Sequence, residues 1–125
     1  MKYLCMVFTE ERLLETMPRD QFDGFVREHS ALDDELKSTG QFVNANALQP
    51  AHTATTVRVR QGKISVTDGP FAETKEQLTG FYLVEARDLN EAIQIAARVP
   101  SARVGCVEVR PVWELTEPRQ FRDDG

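Results

Sequence analysis

No stretch of this chain comes near the roughly 20 consecutive apolar residues that a membrane-crossing helix needs. Positive charge is also short: 15 Lys and Arg stand against 20 Asp and Glu, a net charge of −5. A constitutive nucleic-acid partner requires a positive field over its phosphates, so that class is excluded. Cysteine is scarce as well. Cys5 and Cys106 are the two, and they have no metal-ligand spacing. The carboxylates lack histidine or cysteine partners at any telling spacing, so no metal and no other cofactor is expected. There is no Gly-rich loop to cradle a phosphate, and no Ser/His/Asp or Cys/His motif with local support. Internal repeats and low-complexity segments are absent. No signal peptide opens the chain, because Lys2 runs directly into a β-patterned segment that is too short and too polar-flanked. The cytoplasm is therefore the expected location.

What remains is an ordinary globular composition: 125 residues, 41% hydrophobic and 28% charged. That length fits one domain, read here as residues 1–115 with a polar tail over 116–125. A domain of this size buries about two-thirds of its unfolded surface and needs no disulfide or metal to hold it. The tail is expected to be loose or to reach onto a partner.

Tyr3–Phe8 is apolar at both parities, which predicts a strand in the middle of a sheet, covered on both faces. Thr9–Met17 reads as a polar loop. Phe22, Phe25, Val26, His29, Leu32 and Leu36 recur at helical spacing and predict a first helix over 19–39, with Pro18 at its start and Gly40 at its end. Phe42–Leu48 is a weak strand, and Gln49–Thr53 a loop. Thr55–Arg60 and Lys63–Thr67 flank Gln61-Gly62, a hairpin with Val57, Val59, Ile64 and Val66 on its apolar face. Leu78–Ala86 is again apolar at both parities. Asp88 and Glu91 have N-cap chemistry for a second helix that Pro100 ends. Ser101–Gly105 is a loop, and Val107, Val109 and Pro111 mark a last strand. The order β-α-β-hairpin-β-α-β predicts a two-layer α+β fold.

One stretch gathers more special residues than any other, Val66 through Gly80. Asp68 can accept backbone N–H bonds in a turn, Gly69 can take angles closed to other residues, and Pro70 fixes its own φ. Such a loop is stiff. Glu73 and Glu76 would share a face if Ala72–Gln77 formed one helical turn. The plain reading is a tight polar connection between strands with solvated carboxylates.

Asp-Gly-Pro-Phe-Ala-Glu-Thr-Lys-Glu, followed by Gly80-Phe81-Tyr82, resembles the signature of DGPF-domain proteins in the YCII-related family. The similarity runs from Met1-Lys2-Tyr3 through Ala54–Arg58 to Val107–Pro111, nearly the whole chain. It implies a ferredoxin-like two-layer sandwich whose copies pair into a dimeric α+β barrel. The family's biochemical role is mostly unassigned. Its genes often neighbour those of extracytoplasmic-function sigma factors, which hints at regulation.

A homodimer is also expected on physical grounds. Two helices cannot cover both faces of a sheet whose central strands are apolar on both sides. Each large side chain left wet would forfeit about 1.5–3 kcal/mol.

His29 is the sharpest candidate for chemistry. It sits on the apolar stripe of the first helix, either as a histidine bonded to a backbone carbonyl or water, or as a general acid/base facing a pocket. The resemblance implies a histidine in this part of the helix paired with an aspartate just before a proline. Here Val99 precedes Pro100, so that pair is not intact. Asp68 is the substitute carboxylate, with Glu73 and Glu76 as further ligand-binding candidates. His52, Arg58 and Arg110 read as surface residues. Two readings stay open. One is a small cofactor-independent lyase, isomerase or hydrolase that uses His29 with Asp68 on an unknown small molecule. The other is a non-catalytic ligand-binding or regulatory module linked to sigma-factor-associated transcription control. The first expects His29 and Asp68 to line one pocket between the helix and the Asp68 loop.

Overall fold

β1 (Lys2–Thr9) runs through the centre of a four-stranded antiparallel sheet, with β5 (Gln77–Glu85) on one side and β6 (Gly105–Pro111) on the other. β2 (Phe42–Ala47) pairs with the far edge of β5, giving the order β2-β5-β1-β6. The alternation along β1 is the one its sequence dictates. Tyr3, Cys5, Val7 and Thr9 are buried on one face, while Lys2, Leu4, Met6 and Phe8 are half-buried on the other. Pleat geometry sends successive side chains to opposite faces, so a strand with apolar residues at both parities needs cover twice.

Helices supply one of those covers. α2 (Arg19–Ser38) and α3 (Leu89–Arg98) pack on the face of Tyr3, Cys5, Tyr82 and Val84. Leu32 and Leu36 of α2 join Ala92, Ile95 and Ala96 of α3 in the same core. α3 starts as its sequence predicts: the Asp88 carboxylate accepts from the Glu91 backbone N–H at 2.9 Å. Glu91 reaches back and accepts from the Arg87 N–H at 2.9 Å, one residue earlier than the usual reciprocal cap.

This is a ferredoxin-like α+β arrangement with a hairpin inserted between β2 and β5. The hairpin, β3 (Thr55–Arg60) and β4 (Lys63–Asp68), forms a separate two-stranded sheet. Its turn places Gln61 at φ 52° and Gly62 at φ 75°, the paired positive angles that match strand twist in a two-residue loop. Both sheets are open, and neither closes into a barrel within the chain.

The computed structural model describes residues 1–115, so the tail expected over 116–125 lies outside the described residues. Three local expectations change. Thr9–Met17 holds a short helix, α1 (Glu11–Thr16), rather than only loop. A Glu11 carboxylate oxygen ties it to the rest of the fold by accepting from the Ala51 N–H at 2.7 Å. Short 3₁₀ turns occupy Ala51–Thr53 and Pro100–Arg103. Residues 70–76 are irregular and form no helical turn. The Thr74 hydroxyl donates to the Glu76 carbonyl and the Gln77 amide to the Thr74 carbonyl. Local side-chain bonds of this kind compete with helix formation.

Candidate active site

α2 carries the site because its apolar stripe must face the sheet. That places Phe25, His29 and Asp33, each one turn from the next, beside β5. A cleft of about 370 Å³ opens there between α1, α2, β2 and β5. Its walls are largely apolar, with Phe22, Phe25, Val26 and Leu48 among them. Polar groups converge on it from His29, Ser30, Asp33, Thr79 and Ser101, and Glu11 and Glu15 lie at the α1 side. An apolar hollow with a few convergent polar groups is the usual form of a small-molecule site.

Two features of the sheet shape the floor. β5 carries a bulge opposite Val7 and Phe8, where Thr79 is the extra residue. Thr79 donates to the Val7 carbonyl at 3.3 Å and lies 3.2 Å from the buried Thr9 hydroxyl. Next to it, Gly80 lets β2 come close: a Cβ there would meet the Asn46 carbonyl oxygen at 2.9 Å.

His29 is held by both ring nitrogens. Nδ1 is 2.9 Å from the Phe25 carbonyl oxygen and Nε2 is 3.2 Å from the Ser101 hydroxyl. The Phe25 ring meets the imidazole edge-on, with centroids 4.7 Å apart, and Tyr82 lies nearly parallel to it at 6.4 Å. A carbonyl only accepts, so Nδ1 carries a proton. In the neutral ring, Nε2 is then the acceptor and the Ser101 O–H donates to it.

A second polar pair adjoins the first. Burial, then the charge of Asp33 and a hydrogen bond toward it, hold the Tyr82 phenol well above its ordinary pKa. Oδ1 of Asp33 is enclosed and has no hydrogen-bond partner. Tyr82 therefore stays a neutral phenol beside Asp33. Opposite Tyr82 in the strand register, burial pushes the Cys5 thiol up to about 11.

The residues singled out from sequence divide. His29 lines the cleft. Asp68 ends β4, is exposed, and faces Thr55 across the hairpin. Its loop is stiff as expected: Gly69 sits at φ 95°, its N–H donates to the Ala54 carbonyl at 2.7 Å, and its carbonyl accepts from Thr56 Oγ1 at 2.8 Å. Asp68, Glu73 and Glu76 are not among the residues that line the cleft. Glu73 is exposed, and Glu76 accepts from the Cys106 thiol at 3.6 Å. Burial and this carboxylate raise the Cys106 pKa. The chain thus brings His29 to Ser101, Asp33 and Tyr82, and does not set Asp68 against it.

Sequence reasoning missed Asp33 and Ser101. Asp33 had a signal, a charged residue one turn after His29 on an otherwise apolar stripe. Ser101 is 72 positions from His29, and nothing local marks it. Among the described residues, no group of three or more His, Cys, Asp or Glu is placed to hold a metal ion. No described helix is long and apolar enough to cross a membrane.

The architecture is that of a ferredoxin-like α+β protein with a largely apolar cleft under its first long helix. The chain belongs to the YCII-related domain family, whose profile matches residues 1–116. An uncharacterised protein of Rhizobium meliloti (strain 1021), R00369, is 34% identical over 114 residues, spanning 90% of this chain and 92% of that one. Among solved structures, 5-chloro-2-hydroxyhydroquinone dehydrochlorinase (TftG) of Burkholderia phenoliruptrix AC1100, in complex with 2,5-dihydroxybenzoquinone, shares the fold. Its TM-score is 0.52 at 16% identity, over 90% of this chain and 94% of that chain.

Proposed function

We propose that the cleft under α2 binds a small, compact, mostly apolar molecule, and that His29 transfers a proton to or from it without a cofactor. The observation that carries this reading is the fixed imidazole. Its Nδ1 is pinned to the Phe25 carbonyl within a 370 Å³ hollow, the arrangement that a positioned general acid/base needs. Phe22, Phe25 and Tyr82 suit a ring. The dehydrochlorinase, which shares the fold, is an enzyme acting on a substituted ring compound. That supports the reading by analogy of fold alone. Asp33 is the carboxylate that serves the cleft. Asp68, Glu73 and Glu76 would contribute through the hairpin and its loop, to a ligand or partner held there.

The working form is a homodimer in the cytoplasm. Leu4, Met6, Phe8, Phe81 and Leu83 face away from the helices, and the hairpin exposes Ile64 at 74% and the next loop Phe71 at 81%. A second copy is the simplest cover for so much apolar surface. The two free thiols suit a reducing compartment. The regulatory alternative, a ligand-binding module associated with sigma-factor control, draws support from Val99, which stands where the family's aspartate would partner the histidine.

The test is a fragment screen by protein-observed NMR with small phenols and quinones. Shifts should cluster on Phe25, His29 and Tyr82 and vanish in a folded His29→Ala variant. Shifts confined to the hairpin would reject the cleft. Light scattering should give twice the monomer mass at micromolar concentration.

A further inference from the structure

We propose that Ser101 is a nucleophile activated by His29, so that the cleft can carry out acyl transfer from a small neutral ester. The inference rests on the reading of the cleft as the place where His29 works.

The geometry is that of an activated hydroxyl. The Phe25 carbonyl fixes Nδ1–H, which leaves the Nε2 lone pair aimed at Ser101 Oγ, 3.2 Å away. Nucleophile and base lie within hydrogen-bond reach, and a third group orients the base. Here the third group is a backbone carbonyl, which does the orienting without a charge. Ser101 is itself immobilised. It is only 5% exposed, follows the buried Pro100, and its carbonyl accepts from the Val104 N–H at 3.1 Å. Its turn packs against β1, β6, α2 and α3. Yet it reaches the cleft wall.

The reaction balances with water alone. Ser101 Oγ bonds to the ester carbonyl carbon as its proton passes to Nε2. The carbon–alkoxy bond then breaks, and Nε2 returns the proton to the departing oxygen. Water, losing a proton to Nε2, attacks the acyl carbon, and Oγ leaves with that proton. The products are an acid and an alcohol. Glu11 and Glu15 on the α1 side repel anions, and the phenylalanines favour a ring or short alkyl group, so the substrate class is a neutral, apolar ester.

The experiment treats the purified full-length protein with diisopropyl fluorophosphate and maps the adduct by mass spectrometry. One phosphoryl group per chain on Ser101 is expected, absent from Ser101→Ala. His29→Gln, checked for folding by circular dichroism, should slow labelling by about 100-fold or more. No adduct on Ser101 of the wild-type protein overturns the inference whether or not any variant folds. So does an adduct that forms as fast in folded His29→Gln. If ring compounds still bind in a His29-dependent way while Ser101 stays unlabelled, this inference fails and the reading of the cleft stands. Failure of both measurements removes both.

Discussion

A Cβ on Gly105 would lie 2.1 Å from the carbonyl oxygen of Phe8. β6 begins at this residue, opposite Thr9, immediately after the turn that carries Ser101. The obstacle is backbone and cannot swing aside. Gly105→Ala is therefore expected to destabilise the fold by about 2–4 kcal/mol, in the range of severe packing and strain defects. Urea denaturation checks the value. A loss under about 0.5 kcal/mol would show that β1 and β6 are less closely opposed than described.

Asp33 should be a residue that the fold tolerates rather than needs. One of its carboxylate oxygens is enclosed without a partner, which costs about 1–3 kcal/mol. Alanine is also the better helix former. Asp33→Ala is expected to leave stability unchanged or to raise it by about 1 kcal/mol, while weakening ligand binding in the cleft. A fall of about 1 kcal/mol or more in equilibrium unfolding would contradict this.

Gln61 occupies a left-handed backbone position at φ 52° that asparagine adopts more readily. Gln61→Asn should stabilise the hairpin by about 0.5 kcal/mol. Slower amide exchange at Val59 and Ile64 would be the signature, and faster exchange would reject it.

Cys5 gives a stability dependence on pH with a definite sign. Its folded pKa is about 11 against 9.0 for an ordinary thiol. Between those values the unfolded chain loses a proton that the folded chain keeps, so stability falls as pH rises from 9 to 11. The loss should be on the order of 2 kcal/mol by pH 11. Cys5→Val should flatten that part of the profile, and an unchanged slope would assign it to other groups.

Much of this fold was legible because its strongest signals are local. The double apolar parity of Tyr3–Phe8 placed β1 in the middle of the sheet. The stripe through Phe22, Phe25, His29, Leu32 and Leu36 fixed α2 and the face it buries. Gln61-Gly62 and Asp88–Glu91 announced a turn and a cap. α1 escaped because six residues make less than two turns, and its place is set by Leu14 at the cleft and Glu11 on Ala51. The site was half visible for the same reason. His29 declared itself on a helix stripe. Ser101 becomes its neighbour only once α3, its terminating turn and β6 have folded back under α2. Asp68 attracted attention through turn chemistry, and turn chemistry accounts for the position it holds.

The inserted hairpin has a consequence for the solution behaviour of the chain. β3 and β4 pair only with each other, so each presents one unpaired row of backbone N–H and C=O groups to any passing strand. Alternating β-branched residues beside such an edge form a template for aggregation. Arg58, Arg60 and Lys63 interrupt the row with like charges on the face opposite the valines. They act as gatekeepers, because stacking hairpins in register would bring cation onto cation. Neutralising all three would remove that repulsion and favour edge-to-edge stacking of the hairpins.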